Sequence, residues 1–307
     1  LAFLLELVPA LAAGMLLARG HPHLAGRLAG PLMRWGVPVS ITGLLLRSGL
    51  HWRYGQVLLL AAGAVLAALL LLALVPPLRA GFRTPQQRLG AVVGNTAYFG
   101  IPAALALLPA GAVGYSISYD LAATLFTWSI GPSLIGGMPL RLGVLLRAMA
   151  ASPATQGLLG AVLLQWTPWH QTLAAALWWP ARLVIWLSLV VVGLRLGPVL
   201  GARLPPRLLP ALLVKLLVFP LLLLAGVELL GLEEPARSAV VLQAAAPTAI
   251  AVLLLSEAGG SEPDSSAAGG GETVFEAAAL VLWSTLLALV SVPLWAWALG
   301  AGRPLGA

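Results

Sequence analysis

Asn95 and Thr96 stand inside an apolar run from about Leu89 to Leu108, flanked by Gly94, Gly100 and Pro102. An amide and a hydroxyl there can hydrogen-bond a polar molecule. Gln243, Pro247 and Thr248 repeat the pattern in a second apolar run, about Ala236 to Leu255. Proline removes a backbone donor and clashes with the preceding turn. Backbone groups freed this way are tolerated in hydrocarbon only inside protein or beside a watery cavity. Each break also leaves half-helix ends whose N–H groups suit a carboxylate. Gln243 lies one helical turn before Pro247, so both can face one site. The chemistry expected is binding of a small organic anion by Asn95, Thr96, Tyr98, Gln243, Pro247 and Thr248, with no dedicated cation. The breaks themselves are expected at Gly94, Gly100, Pro102 and Pro247. The plainer alternative is that Asn95, Thr96 and Gln243 only satisfy backbone opened by the kinks. Tyr98 would either close over the substrate or pack as an interfacial tyrosine.

Asp120 is an ionisable group inside an apolar span, where it is costly and usually functional. It is the candidate proton site, with a helix cap near the outer surface as the alternative. Glu276 holds the equivalent place in the second half and reads as a cap. Arg34 and Lys215 are expected to snorkel to the inner face. Arg182 follows Trp178-Trp179-Pro180 and is expected at the outer interface, among belt tryptophans. His21, His23, His51 and His170 are expected in loops. His21 and His23 flank a proline, which is weak metal spacing without further ligands, so neither a metal nor a cofactor is expected. The sequence has no Gly-Lys-Ser/Thr phosphate loop, serine elbow or His-Glu-x-x-His motif. An intramembrane enzyme would need a catalytic pair at one depth. The apolar spans offer Asp120 but no histidine, so no enzyme is expected.

The elements that must hold these residues follow from composition. The chain has 307 residues, 60% hydrophobic and 9% charged, with mean hydropathy +0.98. A soluble domain carries roughly a quarter charged residues, so an all-α integral membrane protein is expected, with the lipid bilayer as its partner. A spanning helix needs roughly 20 apolar residues, which allows about ten. The net charge of +7 fits arginine in cytoplasmic loops better than nucleic acid. With no cysteine, disulfides and thiolate metal sites are excluded. The first run, Leu1 to Leu17, lacks a preceding basic segment and reads as a span rather than a signal peptide.

Ten spans are expected, near Ala2–Ala18, Pro31–Leu46, Gln56–Val75, Leu89–Leu108, Val113–Ile135, Gln156–Trp166, Trp178–Leu196, Leu208–Leu230, Ala236–Leu255 and Phe275–Leu299. An internal repeat relates the halves. Thr84-Pro85-Gln86-Gln87-Arg88 opens the fourth span, and Glu234-Pro235-Ala236-Arg237 opens the ninth. Aligning these prolines sets Asn95-Thr96-Ala97 against Ala245-Ala246-Pro247, so both breaks fall at one depth. Five spans per half is odd, so the halves must be inverted, as in many secondary transporters. The first repeat is expected over 1–136, a cytoplasmic connecting loop over 137–153, and the second repeat over 154–307. With the N-terminus outside, ten arginines (19, 27, 79, 83, 88, 141, 147, 195, 203, 207) fall inside and four (47, 53, 237, 303) outside. That bias favours an inner (plasma) membrane protein with both termini outside. The glycine- and serine-rich stretch Gly259 to Gly271 reads as a flexible linker.

The motif Asn-x-x-Tyr/Phe-x-Gly, here Asn95 to Gly100, resembles the auxin efflux carrier family. So does Val-x-Gln-Ala-Ala-x-Pro-x-x-Ile, here Val241 to Ile250, and the second-span stretch Trp35-Gly36-Val37-Pro38. The resemblance runs through the whole chain in span order. It implies ten helices in two inverted five-helix repeats, related to the bile acid/sodium symporter fold. It also implies that broken helices four and nine cross, with Asn95 and Pro247 marking the crossing, and that organic anions bind there by elevator-type alternating access. Helices 1, 2, 6 and 7 would form a scaffold, helices 3–5 and 8–10 the transport unit, and a homodimer through the scaffold is a further expectation. The large loop of the plant carriers between spans five and six is missing, as in the compact prokaryotic branch. The rivals are a sodium-coupled bile-acid-type symporter, which needs oxygen-rich coordination at the crossing, and a non-transporting membrane receptor or scaffold.

Overall fold

A computed structural model describes residues 2–21, 23–136, 142–259 and 267–301. Their regular structure is helical, without a strand. In chain order the helices are α1 (Ala2–Ala18), α2 (Leu24–Pro31), α3 (Val37–Ser48), α4 (Arg53–Leu74), α5 (Pro76–Gly81) and α6 (Pro85–Val92). Then come α7 (Ile101–Leu107), α8 (Ala112–Ser129), α9 (Gly131–Gly136), α10 (Leu142–Ala151), α11 (Pro153–Gln165) and α12 (His170–Leu196). The last are α13 (Leu209–Leu213), α14 (Phe219–Leu229), α15 (Ala236–Ala244), α16 (Ile250–Gly259) and α17 (Ala267–Ala298).

Among the described residues four helical stretches are long and apolar enough to cross a membrane: Arg53–Leu74, His170–Val199, Pro206–Leu229 and Gly271–Ala298. The other expected spans are shorter or interrupted helices. Large apolar side chains such as Leu59, Leu74, Leu163, Trp179 and Trp297 project from the outer surface. Water would oppose so many exposed apolar groups, whereas hydrocarbon favours them. The chain is a helical membrane protein.

Among the described residues three helices contain a π turn, and each has its proline at the same offset. The turns are Leu32–Gly36, Thr96–Gly100 and Val214–Val218, followed two residues later by Pro38, Pro102 and Pro220. A proline has no N–H for the carbonyl four residues back and crowds it. The ladder upstream relaxes by widening to i→i−5 bonds, such as Val37 N–H to Leu32 O and Phe219 N–H to Val214 O. At Pro220 the released carbonyl belongs to Leu216. The indole of Trp295 on α17 donates to it at 2.9 Å.

Packing divides the helices into two groups. In the first, α12 packs on α1 and α3, and α3 packs on α11. Small residues set the approach. A methyl at Gly14 would strike the α12 backbone near Val190, and one at Gly193 the α1 backbone at Leu11. Gly43 faces Leu177, and Gly157 faces Ile41. In the second group α8 packs on α4 and α15, α14 on α15 and α4, and α17 on α6 and α16.

Two expectations for connecting segments need correction. The 137–153 stretch is not simply a loop: Leu142–Ala151 is helical, because leucine, alanine, methionine and arginine are strong helix formers. The glycine-rich stretch expected as linker to Gly271 is already helical from Ala267. Residues 137–141, with Arg141, and 260–266 lie outside the described residues, as do 302–307 with Arg303.

Candidate functional site at the helix crossing

The two sequence breaks meet. Helix α6 stops at Val92, and Val93 is extended. Helix α15 stops at Ala244, and α16 begins at Ile250. The two interrupted segments lie antiparallel, with Gly94 opposite Thr248. Asn95 N–H donates to Pro247 O at 2.6 Å, and Ala249 N–H donates to Val93 O at 3.1 Å. Backbone groups freed by the breaks thus satisfy each other across the halves of the chain. Gly94 suits this close approach. A Cβ there would sit 3.0 Å from Lys215 Nζ and 3.3 Å from Ala246 O.

Side chains close the remaining backbone groups. With α6 broken, the Gly90 carbonyl loses its helical donor, and Thr248 Oγ1 donates to it at 2.8 Å. Thr248 N–H donates to Ser284 Oγ of α17 at 3.0 Å. Lys215 Nζ donates to Ala244 O, at the end of α15, at 2.6 Å. Its ammonium also lies 5.4 Å from the Phe219 ring centre. Lys215 is fully buried, so the expectation that it snorkels to the inner face is wrong. The negative end of the α15 dipole and a free carbonyl draw the ammonium inward.

A cavity of about 310 Å³ opens beside the crossing. Gly94 to Tyr98 line it from one break, Ala249 to Ala251 from the other, and Met33, Val37, Ser188, Val191, Val192 and Arg195 from the first helix group. The N-terminal ends of two half-helices therefore point positive dipole ends at it, while the C-terminal end of α15 is turned toward Lys215. Such ends favour an anion.

The expected site residues divide between the two sides of the crossing. Asn95, Thr96 and Tyr98 line the cavity, together with Asp120. Gln243, Pro247 and Thr248 do not. Thr96 Oγ1 donates to Asp120 Oδ1 at 2.5 Å. Asp120 Oδ2 and Asn95 Nδ2 are buried and make no hydrogen bond with the described residues. Asp120 sits well inside α8 and is buried, so the capping alternative for it is wrong. Tyr98 hydroxyl contacts the Met33 sulfur, tying the π turn to the second span. Gln243 packs against Gly100, where a methyl would strike its amide, and neither of its polar atoms has a partner among the described residues. Gly100 and Pro102 do not break the span as expected: helix runs without interruption from Thr96 through the π turn to Leu107, and the break lies at Val93–Asn95. Glu276 lies inside α17 and pairs with Arg207, so it does not cap that helix. Arg182 stacks near Trp178 at 5.5 Å, and Arg47 stacks on the same ring at 4.1 Å. Among the described residues no cluster of three metal-ligating side chains occurs.

Lys215, Ser284 and Arg195 were not singled out for the site from sequence. For Ser284 and Arg195 no local signal exists. For Lys215 the signal was present, as the chain's sole lysine within an apolar span.

No protein-family model matches the chain, and no curated protein is significantly similar to it.

Proposed function

We propose that the protein is a secondary transporter carrying a small organic anion, a carboxylate or an auxin-like acid, across the membrane. The observation that carries this reading is the backbone pairing of Gly94 with Thr248 beside a cavity lined by two half-helix N-termini. Irregular backbone at membrane depth is expensive, and transporters place it where a substrate is held. The cargo would bind against Asn95, Thr96 and Tyr98, with Asp120 as the proton site. Gln243, Pro247 and Thr248 would hold the crossing in shape. No cofactor takes part, and the cargo leaves chemically unchanged.

The reading takes the chain as ten spans in two inverted five-helix repeats. Packing supports it by exchange: α1 pairs with α12 as α11 pairs with α3, and α6 meets α17 as α15 meets α8. The first helix group would be the scaffold and the site of homodimerisation. The second would be the elevator-like moving unit. The membrane would be the inner (plasma) membrane, with both termini outside. The 310 Å³ cavity then faces inward, and a second cavity of about 260 Å³, lined by Leu5, Pro102, Arg182 and Trp186, lies toward the outside on the same seam.

A sodium-coupled symporter is the second reading. The buried Gln243 amide, unpartnered among the described residues, favours it by offering an oxygen of the kind sodium uses.

The test is electrical. Purified protein on a solid-supported membrane is presented with mono- and dicarboxylates, with and without sodium, at two pH values. A saturable current for one anion class, abolished by Asn95→Ala with Pro247→Ala, is expected. A sodium requirement selects the second reading. An unchanged current in the double variant, or no anion movement by current or by radiolabelled counterflow, overturns the carrier.

A further inference from the structure

We propose that Arg195 is the anion-binding residue of the cavity and that Glu257 occupies it until a carboxylate arrives, so that cargo binding releases α12 from α16. The inference rests on the carrier reading above and adds to it the residue that recognises charge.

Arg195 lies in the last turn of α12 and lines the 310 Å³ cavity. Two of the cavity's lining residues are charged, Arg195 and Asp120, and Arg195 alone is cationic. The half-helix ends offer partial charges. Among the described lining residues, Arg195 supplies the full countercharge for an anion. Its Nη1 sits 3.3 Å from Glu257 Oε2. Glu257 belongs to α16, the half-helix that leaves the crossing. The pair therefore ties the first helix group to the second. By contrast Arg207 with Glu272 and Arg237 with Glu228 join elements within the second group.

The contact is long for a charge-assisted bond, and the side chains are 24% and 43% exposed. Exposed ion pairs of this kind are weak because water competes for both partners. A guanidinium presents a planar fork that a free carboxylate can fill with two bonds. An incoming anion that enters the cavity can take Arg195 by exchange and displace Glu257 from it. The seam between the two groups then loses this tie at the moment the site is filled. An empty carrier stays tied, which would limit movement without cargo.

The experiment is equilibrium binding of succinate and of indole-3-acetate to the full chain in lipid nanodiscs, by titration calorimetry. Glu257→Gln is expected to tighten binding about threefold, the worth of a weak exposed pair. Arg195→Gln is expected to weaken it about tenfold or more, as for loss of a hydrogen bond to a charged group. The double variant should match Arg195→Gln, because with the guanidinium gone Glu257 no longer competes with the anion for it. Arg195→Lys should recover part of the affinity, which separates lost charge from misfolding. Wild-type affinity in both single variants overturns the proposal while the carrier reading stands. Weakening by Arg195→Gln without tightening by Glu257→Gln overturns the exchange. Binding of neither anion by the wild type or by Glu257→Gln overturns the proposal and the anion reading together.

Discussion

Lys215 and Ala244 lie on different helices, and the lysine ammonium reaches the alanine carbonyl at 2.6 Å. The carbonyl belongs to the last residue of α15, where the helix dipole is most negative and the break removes the next donor. The lysine is thus a fixed donor that holds the end of α15 and does not itself line the cavity.

Lys215→Met should fold and fail to transport. Removing the donor leaves a buried carbonyl unpaired, which costs about 1–3 kcal/mol. Removing a buried ammonium relieves a desolvation cost of several kcal/mol. The two effects oppose, so the melting temperature of purified protein should change little. Transport should fall about tenfold or more, because Lys215 holds the Ala244 carbonyl at the end of α15 and a shift there moves Asn95 through Pro247. Anion flux at the wild-type rate in a well-folded Lys215→Met protein would remove Lys215 from the mechanism.

Gly193→Val should separate α1 from α12. A side chain at Gly193 would run into the α1 backbone at Leu11 and Met15, which cannot give way as a side-chain tip can. Overpacking of this kind costs about 1–3 kcal/mol. Gly63→Val is the control, since nothing lies within 4 Å of a Cβ at that position. Thermal unfolding followed by fluorescence-detected size exclusion should show a clear loss for Gly193→Val and little for Gly63→Val. Equal melting of the two variants would mean that the close approach of α1 and α12 does not limit stability.

How much of this was legible depended on whether the signal was local. Glycine, asparagine, threonine and proline inside apolar runs marked both breaks, because each residue is disfavoured there for its own reason. In the structure, backbone pairing joins Val93–Asn95 to Pro247–Ala249. The register of that pairing could not be read, because it depends on how two distant helices cross. The π turns were also hidden, although each lies at a fixed offset from its proline. Lys215 was misplaced for a related reason. A lysine in an apolar span is read toward the nearest interface unless a carbonyl from another helix is known to wait inside. The Thr96–Asp120 hydrogen bond joins residues 24 apart, and Arg195–Glu257 joins residues 62 apart. No periodicity announces such pairs.

Asp120→Asn tests the proton site apart from the fold. Asparagine keeps an oxygen where Thr96 Oγ1 now donates at 2.5 Å, so the hydrogen bond that ties α8 to the π turn can survive. What is lost is a group able to gain and lose a proton beside the cavity, next to Thr96 and Tyr98. Thermal stability should stay close to wild type, within about 1 kcal/mol, the range of a retained neutral hydrogen bond. Currents driven by an anion gradient alone should persist at reduced size. The added current produced by a pH gradient should vanish. Thr96→Val is the companion variant, since it leaves the carboxylate in place but removes its donor; it should alter the size of the proton response without abolishing it. A pH-gradient response of full size in Asp120→Asn would assign proton coupling elsewhere, or leave the carrier as a uniporter that senses pH only through its cargo.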